Sequence, residues 1–195
     1  MPRLQHLLLC VVVAIAAASC GGSTASIEQS WRAPNARMGE LTNVVTLLMS
    51  RNVTLSRTAE DRLAMHLRQH GVRATPAYTI LSGEDLADRG RALAALRAAG
   101  YDGVVTMRLV DKETQLEYVP TLDYYWGDPW GDVVPTTVVR IEVNAYSLNG
   151  NRLVWSGISK STDPDSLTQL VNDVTQVVSR ELDKEGLIPG KPAST

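Results

Sequence analysis

Phenylalanine is absent from this chain of 195 residues, and its aromatic residues are four Trp and six Tyr. Cysteine is almost as scarce. Cys10 lies inside an amino-terminal apolar run whose expected removal leaves Cys20 alone, and a single thiol excludes an internal disulfide. Neither sign of charge dominates: 19 Lys and Arg face 21 Asp and Glu, so there is no basic surface of the kind that holds nucleic acid. No second stretch is long and apolar enough to span a membrane. Nucleophile and phosphate motifs are missing too. Gly157-Ile158-Ser159-Lys160-Ser161 lacks the second glycine of a hydrolase elbow, Ser156 and Lys160 are one residue too far apart for Ser-x-x-Lys, and there is no Gly-rich phosphate or dinucleotide loop. These absences disfavour an enzyme, and no cofactor is expected.

What is present begins at the amino terminus. Arg3 precedes an unbroken apolar run from Leu7 to Ala18. As a helix this run spans about 18 Å, short of the roughly 30 Å of a hydrocarbon core, so it suits the removable core of an export signal better than a membrane span. Ala17-Ala18-Ser19-Cys20 then places small residues directly before a cysteine. This resembles the lipobox of bacterial lipoproteins, with Ala17 where that pattern usually has Leu. The resemblance implies cleavage after Ser19 and acylation of Cys20, hence a palmitate-type lipid anchor at the cell envelope. Gly21, where an Asp would resemble an inner-membrane retention signal, points to the periplasmic face of the outer membrane in a Gram-negative source. The alternative is an ordinary cut after Ala16-Ala17-Ala18, which leaves Cys20 a free thiol.

The expected organisation is a signal peptide over 1–19, a lipidated cysteine and flexible tether over 20–38, one domain over 39–188 and a disordered tail over 189–195. Within the domain, Val44 to Met49 reads as a buried strand. Thr58 with Asp61 resembles a capping box, opening a helix that carries Ala59, Leu63 and Leu67 and stops at Gly71. Ala74 to Leu81 alternates as a strand, Asp88 to Ala99 reads as a helix closed by Gly100, and Val104 to Val110 as a third strand. Val133 to Leu148, the turn Asn149-Gly150 and Arg152 to Ser159 form a hairpin. The last element is a long helix with Asp163 as cap, Pro164 in its first turn and an apolar face from Leu167 to Leu182, ended by Gly186. The fold class is therefore α/β, a mixed α+β sheet: β-α-β-α-β, then a hairpin and a long C-terminal helix, with the helices packed on one sheet.

Two stretches carry a resemblance. Ala98-Ala99-Gly100-Tyr101-Asp102-Gly103-Val104-Val105, and later Val143 to Gly157 with its Asn149-Gly150 turn and Leu153-Val154-Trp155-Ser156, resemble periplasmic lipoprotein domains. These include the curli secretion lipoprotein, the lipoprotein activators of penicillin-binding proteins, the amino-terminal domain of TolB, and lipoproteins of unknown function. The resemblance implies a fold, a compartment and an assembly or interaction role. It transfers no catalytic residue.

The long connection over 111–132 is the segment that invites a functional assignment. It holds half of the chain's aromatic residues in Tyr118-Val119-Pro120-Thr121-Leu122-Asp123-Tyr124-Tyr125-Trp126-Gly127-Asp128-Pro129-Trp130-Gly131-Asp132. Tyr118, Tyr124, Tyr125, Trp126 and Trp130 offer flat faces with polar edges for docking a partner or stacking on sugar rings, and Asp123 and Asp128 are placed to accept from sugar hydroxyls. Folding of the same rings over a sheet edge, with Gly and Pro making the turns, is the reading preferred to it. The aspartates do not follow a calcium-loop spacing, and Asp123 with Asp132 would form a hydrolytic pair only if the loop set their separation. His66 and His70 share a helix face but lack the Glu of a zinc-protease helix, so packing is preferred and no metal is expected. The expectation is a membrane-anchored, non-enzymatic interaction or assembly module whose partner is another envelope protein or itself. Peptidoglycan or other glycan binding through the loop is the alternative, and a hydrolase the least favoured.

Overall fold

The computed structural model describes residues 25–119 and 132–190. Six strands form one mixed sheet: β1 (Ala25–Arg32), β2 (Asn43–Leu48), β3 (Arg73–Pro76), β4 (Gly103–Val119), β5 (Asp132–Ser147) and β6 (Arg152–Thr162), ordered β1-β6-β5-β4-β2-β3. β2 lies parallel to both β3 and β4, whereas β4, β5, β6 and β1 run antiparallel. The helices are α1 (Val53–Gln69), α2 (Gly83–Ala87), α3 (Arg89–Ala98) and α4 (Leu167–Lys184).

Strand alternation divides the apolar residues between two faces. On one face Val44, Val105, Met107, Val143 and Trp155, joined by Val154 at a register shift in the β5–β6 pairing, meet Leu63 and Leu67 of α1 and Leu170, Val174, Val178 and Leu182 of α4. On the other, Val45 and Val104 meet Leu96 of α3, with Leu148 alongside. Trp155 is fully buried because Gly157, two residues on and on the same face, leaves the ring room to lie along β6. A Cβ at Gly157 would collide with that ring.

The α/β expectation holds, with α1 and α4 on one face of the sheet and α3 on the other. Several local boundaries differ. Residues 25–38 are not a free tether: Ala25–Arg32 pairs with β6 as an edge strand, and the next stretch is tied down by Ala33 N–H to Val154 O (2.9 Å) and Leu41 N–H to Leu187 O (3.0 Å). That strand is largely polar, so backbone pairing rather than an apolar pattern holds it. α1 is capped six residues before the Thr58 box, because the Asn52 side chain accepts from Leu55 N–H (3.0 Å), and Asp61 instead accepts from the Tyr78 hydroxyl (3.0 Å).

β3 stops at Pro76, which has no N–H to continue a ladder, and Ala77–Thr79 turn as a 3-10 helix. The buried Glu60 carboxylate accepts from Tyr78 N–H (3.1 Å) and Leu48 N–H (3.2 Å), stitching that turn to β2. Burial raises the pKa of Glu60 despite these bonds. α4 is capped by Ser166, which accepts from Gln169 N–H (3.1 Å). Asp163 instead prolongs the β5–β6 ladder: its N–H donates to Thr137 O (2.8 Å) and its carboxylate accepts from Thr137 N–H (2.6 Å).

The Gly100-Tyr101-Asp102 segment has a structural purpose. Gly100 turns the chain out of α3 at φ +79°, and the Asp102 carboxylate accepts from Asn43 N–H (2.9 Å), Thr42 N–H (3.1 Å) and the Thr42 hydroxyl. This joins the starts of the parallel strands β2 and β4.

Candidate functional site

β4 and β5 are much longer than their neighbours. β2 leaves β4 at Met107, and β6 leaves β5 at Val138, yet β4 and β5 stay paired to Val119 and Asp132. Residues 114–119 and 132–137 are therefore a two-stranded arm, about 20 Å long at the usual strand rise. The connection expected over 111–132 is correspondingly shorter, because its first and last residues are strand.

Tyr118 lies in β4 opposite Val133. Asp123, Tyr124, Tyr125, Trp126, Asp128 and Trp130 lie outside the described residues, as do Cys20 and the tail from Lys191 to Thr195. The proposed pairing of Asp123 with Asp132 falls outside them for the same reason.

Arg140 knits the root of the arm. Its guanidinium donates to Glu113 (2.6 Å), Glu28 (3.0 Å) and Asp111 (3.3 Å), reaching from β5 to β4 on one side and across β6 to β1 on the other. The hydrogen bond from Arg140 lowers the pKa of Glu113, and the same bond, with that to Glu28, raises the pKa of Arg140. A β-bulge between Leu109 and Asp111 shifts the β4 register at this point.

Behind the root, between the sheet and the starts of α1 and α4, is a groove of about 800 Å³. Met107, Val139, Ile141, Leu170, Val171 and Val174 line it, and no residue of the lining is aromatic. Three large apolar side chains that also line it are more than half exposed: Met49 (58 %), Leu109 (56 %) and Leu167 (54 %). Its polar lining includes Lys112, Thr137, Asp163, Asp165 and Ser166. The residue pattern of the sequence did not single out this groove. Its walls come from five separate elements, and the exposed apolar residues that mark it, Leu109 within β4 and Leu167 at the start of α4, are far apart in the sequence.

The row Ala25, Ser161, Val139, Lys112 crosses four strands, and β1 runs away from it. The first described residue thus enters the sheet at the end that carries both the arm and the groove.

His66 and His70 both face α4. His66 Nε2 lies 3.3 Å from Asn172 Oδ1 and Nδ1 3.3 Å from Gln69 Oε1, while His70 Nδ1 lies 2.8 Å from Asp183 Oδ2. The rings thus bridge two packed helices. Among the described residues no group of three or more His, Cys, Asp or Glu is placed to hold a metal ion, and no helix is long and apolar enough to cross a membrane.

No protein-family model and no curated protein matches the chain. Solved structures similar to it include PelC from Paraburkholderia phytofirmans, described as a dodecamer, at 16 % identity over 80 % of this chain and 95 % of that one, TM-score 0.48. Lipoprotein GNA1162 from Neisseria meningitidis is 16 % identical over 73 % of this chain and 99 % of that one, TM-score 0.42. A minor lipoprotein from Acinetobacter baumannii is 10 % identical over 74 % of this chain and 94 % of that one, TM-score 0.31.

Proposed function

We propose that this chain is an envelope lipoprotein, held at a bilayer by lipid on Cys20, that works as a non-enzymatic interaction module with the β4–β5 arm as its contact element. The observation that carries this reading is the shared end of the sheet. Cys20 stands five residues before Ala25, a reach of roughly 17 Å fully extended, and Ala25 lies in the row from which the arm departs. A lipid at Cys20 would hold the arm and the groove against the membrane surface, where another envelope protein or a second copy would meet them. An isolated two-stranded ribbon is marginally stable in water, so an arm of this length gains from a partner.

Two measurements test the reading. Radiolabelled palmitate should enter the wild-type chain and not Cys20→Ser; equal labelling of both removes the anchor. The purified chain, mixed with detergent-solubilised envelope membranes and separately with cell-wall sacculi, should retain a discrete membrane protein or copies of itself. Retention by sacculi alone would replace the protein partner with a glycan.

A further inference from the structure

We propose that the groove beneath α4 takes one acyl chain of a membrane lipid. Its walls are aliphatic, from Met107 and Val139 on the sheet to Leu170, Val171 and Val174 on α4. A sugar ring needs a flat aromatic platform and partners for its hydroxyls, and the lining contains no aromatic residue. A hydrocarbon chain needs only continuous apolar area, which this groove supplies in a volume of ligand-binding size.

The exposed residues say how the groove is filled. Met49, Leu109 and Leu167 gather apolar surface along its lining that a protein in water leaves uncovered at a cost. Leu116, 74 % exposed, stands further along the same strand face, beyond the polar Lys112 and Thr114. The charged groups of the lining are Lys112, Asp163 and Asp165. Asp163 accepts from Thr137 N–H and, like Asp165, keeps its negative charge, so Lys112, the cation of the lining, is the group that would meet the phosphate or carboxylate at the head of a chain lying in the groove.

The position of the amino terminus selects a bilayer lipid over other occupants. The row through Val139, a wall of the groove, ends at Ala25 two strands away, about 10 Å across the sheet. Cys20 is within roughly 17 Å of Ala25. Delivery of the lipid therefore rests on the anchoring proposed above, whereas the chemistry of the groove does not.

The test uses the Cys20→Ser chain, purified free of lipid and titrated with the fluorescent fatty acid cis-parinaric acid, then with vesicles of phosphatidylethanolamine and phosphatidylglycerol as competitor. Saturable one-to-one binding is expected, displaced by the vesicle lipid. The double variant Leu109→Gln, Leu167→Gln changes only exposed positions, so it should fold, and it should bind about tenfold more weakly. Ile80→Gln, exposed but remote from the groove, should bind as the parent does. Absence of saturable binding, or equal weakening in the Ile80 and groove variants, overturns the proposal. So does self-association in place of fatty-acid binding, abolished by the double variant, which would make a second copy the occupant. Palmitate incorporation into the wild-type chain is scored separately: binding without incorporation removes the anchor and keeps the groove, and incorporation without binding does the reverse.

Discussion

Glu40 sits beneath Arg152, whose Nη2 lies 2.6 and 2.7 Å from its two carboxylate oxygens. Burial alone would raise the pKa of this carboxyl. The Arg37 backbone N–H, the Ser147 hydroxyl and the Arg152 guanidinium outweigh burial and hold it below its ordinary 4.5. A carboxyl whose pKa is lower folded than unfolded stabilises the fold above its unfolded value, and that contribution is lost as pH falls through the folded value. Glu40→Gln should therefore be about 1.5–3 kcal/mol less stable than the parent near pH 7, the range for a hydrogen bond to a charged group. The gap should shrink as the pH falls below 4.5 and close once it passes the lowered folded value, where both carry a neutral side chain. Urea unfolding at the two pH values measures this, and a gap independent of pH would show that the pair contributes through shape alone. The bond matters because Glu40 and Arg152 join the segment after β1 to the start of β6, on the path by which the amino terminus is held to the domain.

At the scale of elements, the arm is held where it leaves the sheet. Beyond Val138 the ribbon has no neighbouring strand, so its order depends on cross-strand pairs and on the ion cluster at its root. Arg140 is central there, with Glu28, Asp111 and Glu113 drawn from two other strands. Arg140→Ala should speed amide exchange over residues 113–119 and 132–138 while leaving exchange in α4 and β2 unchanged, read by hydrogen exchange with mass detection. Uniform acceleration across the domain would mean that Arg140 supports the whole sheet rather than the arm. Fully buried Val143 and Ala145 of β5 sit further along the same strand among core residues, which is why the effect should stay local.

At the scale of the molecule, the domain has two unlike ends. One carries Ala25, the groove and the arm. The other carries the β5–β6 turn at Asn149-Gly150 and the Gly100–Asp102 junction, about 27 Å away along β5. If lipid on Cys20 anchors the chain, single cysteines carrying a fluorophore at residue 114 or 165 should be quenched by nitroxide lipids in vesicles. A label at residue 150 should be quenched little or not at all. Equal quenching at both ends would mean that the domain tumbles freely on its anchor.

The sequence by itself determined the class of the fold and most of its elements. Periodicity located β2, α3, the β5–β6 hairpin and α4, because each carries an apolar face with turn or cap residues beside it. The Trp155-x-Gly157 and Gly100-x-Asp102 signals proved to be packing and junction devices. Local pattern failed where the stabilising group lies far along the chain. β1 is mostly polar and is a strand only because β6 offers it a ladder. The Ala74–Leu81 alternation was cut at Pro76, and Asp163 went to Thr137 rather than to the helix it precedes. The aromatic residues from Tyr124 to Trp130, the feature most conspicuous in the sequence, lie beyond the described strands. The groove was invisible for a physical reason: each of its walls is an ordinary aliphatic side chain of a different element. Only the packing of α4 and α1 across the sheet, and the pairing that brings Ala25 to the same end, decided that those side chains enclose a space and where it faces.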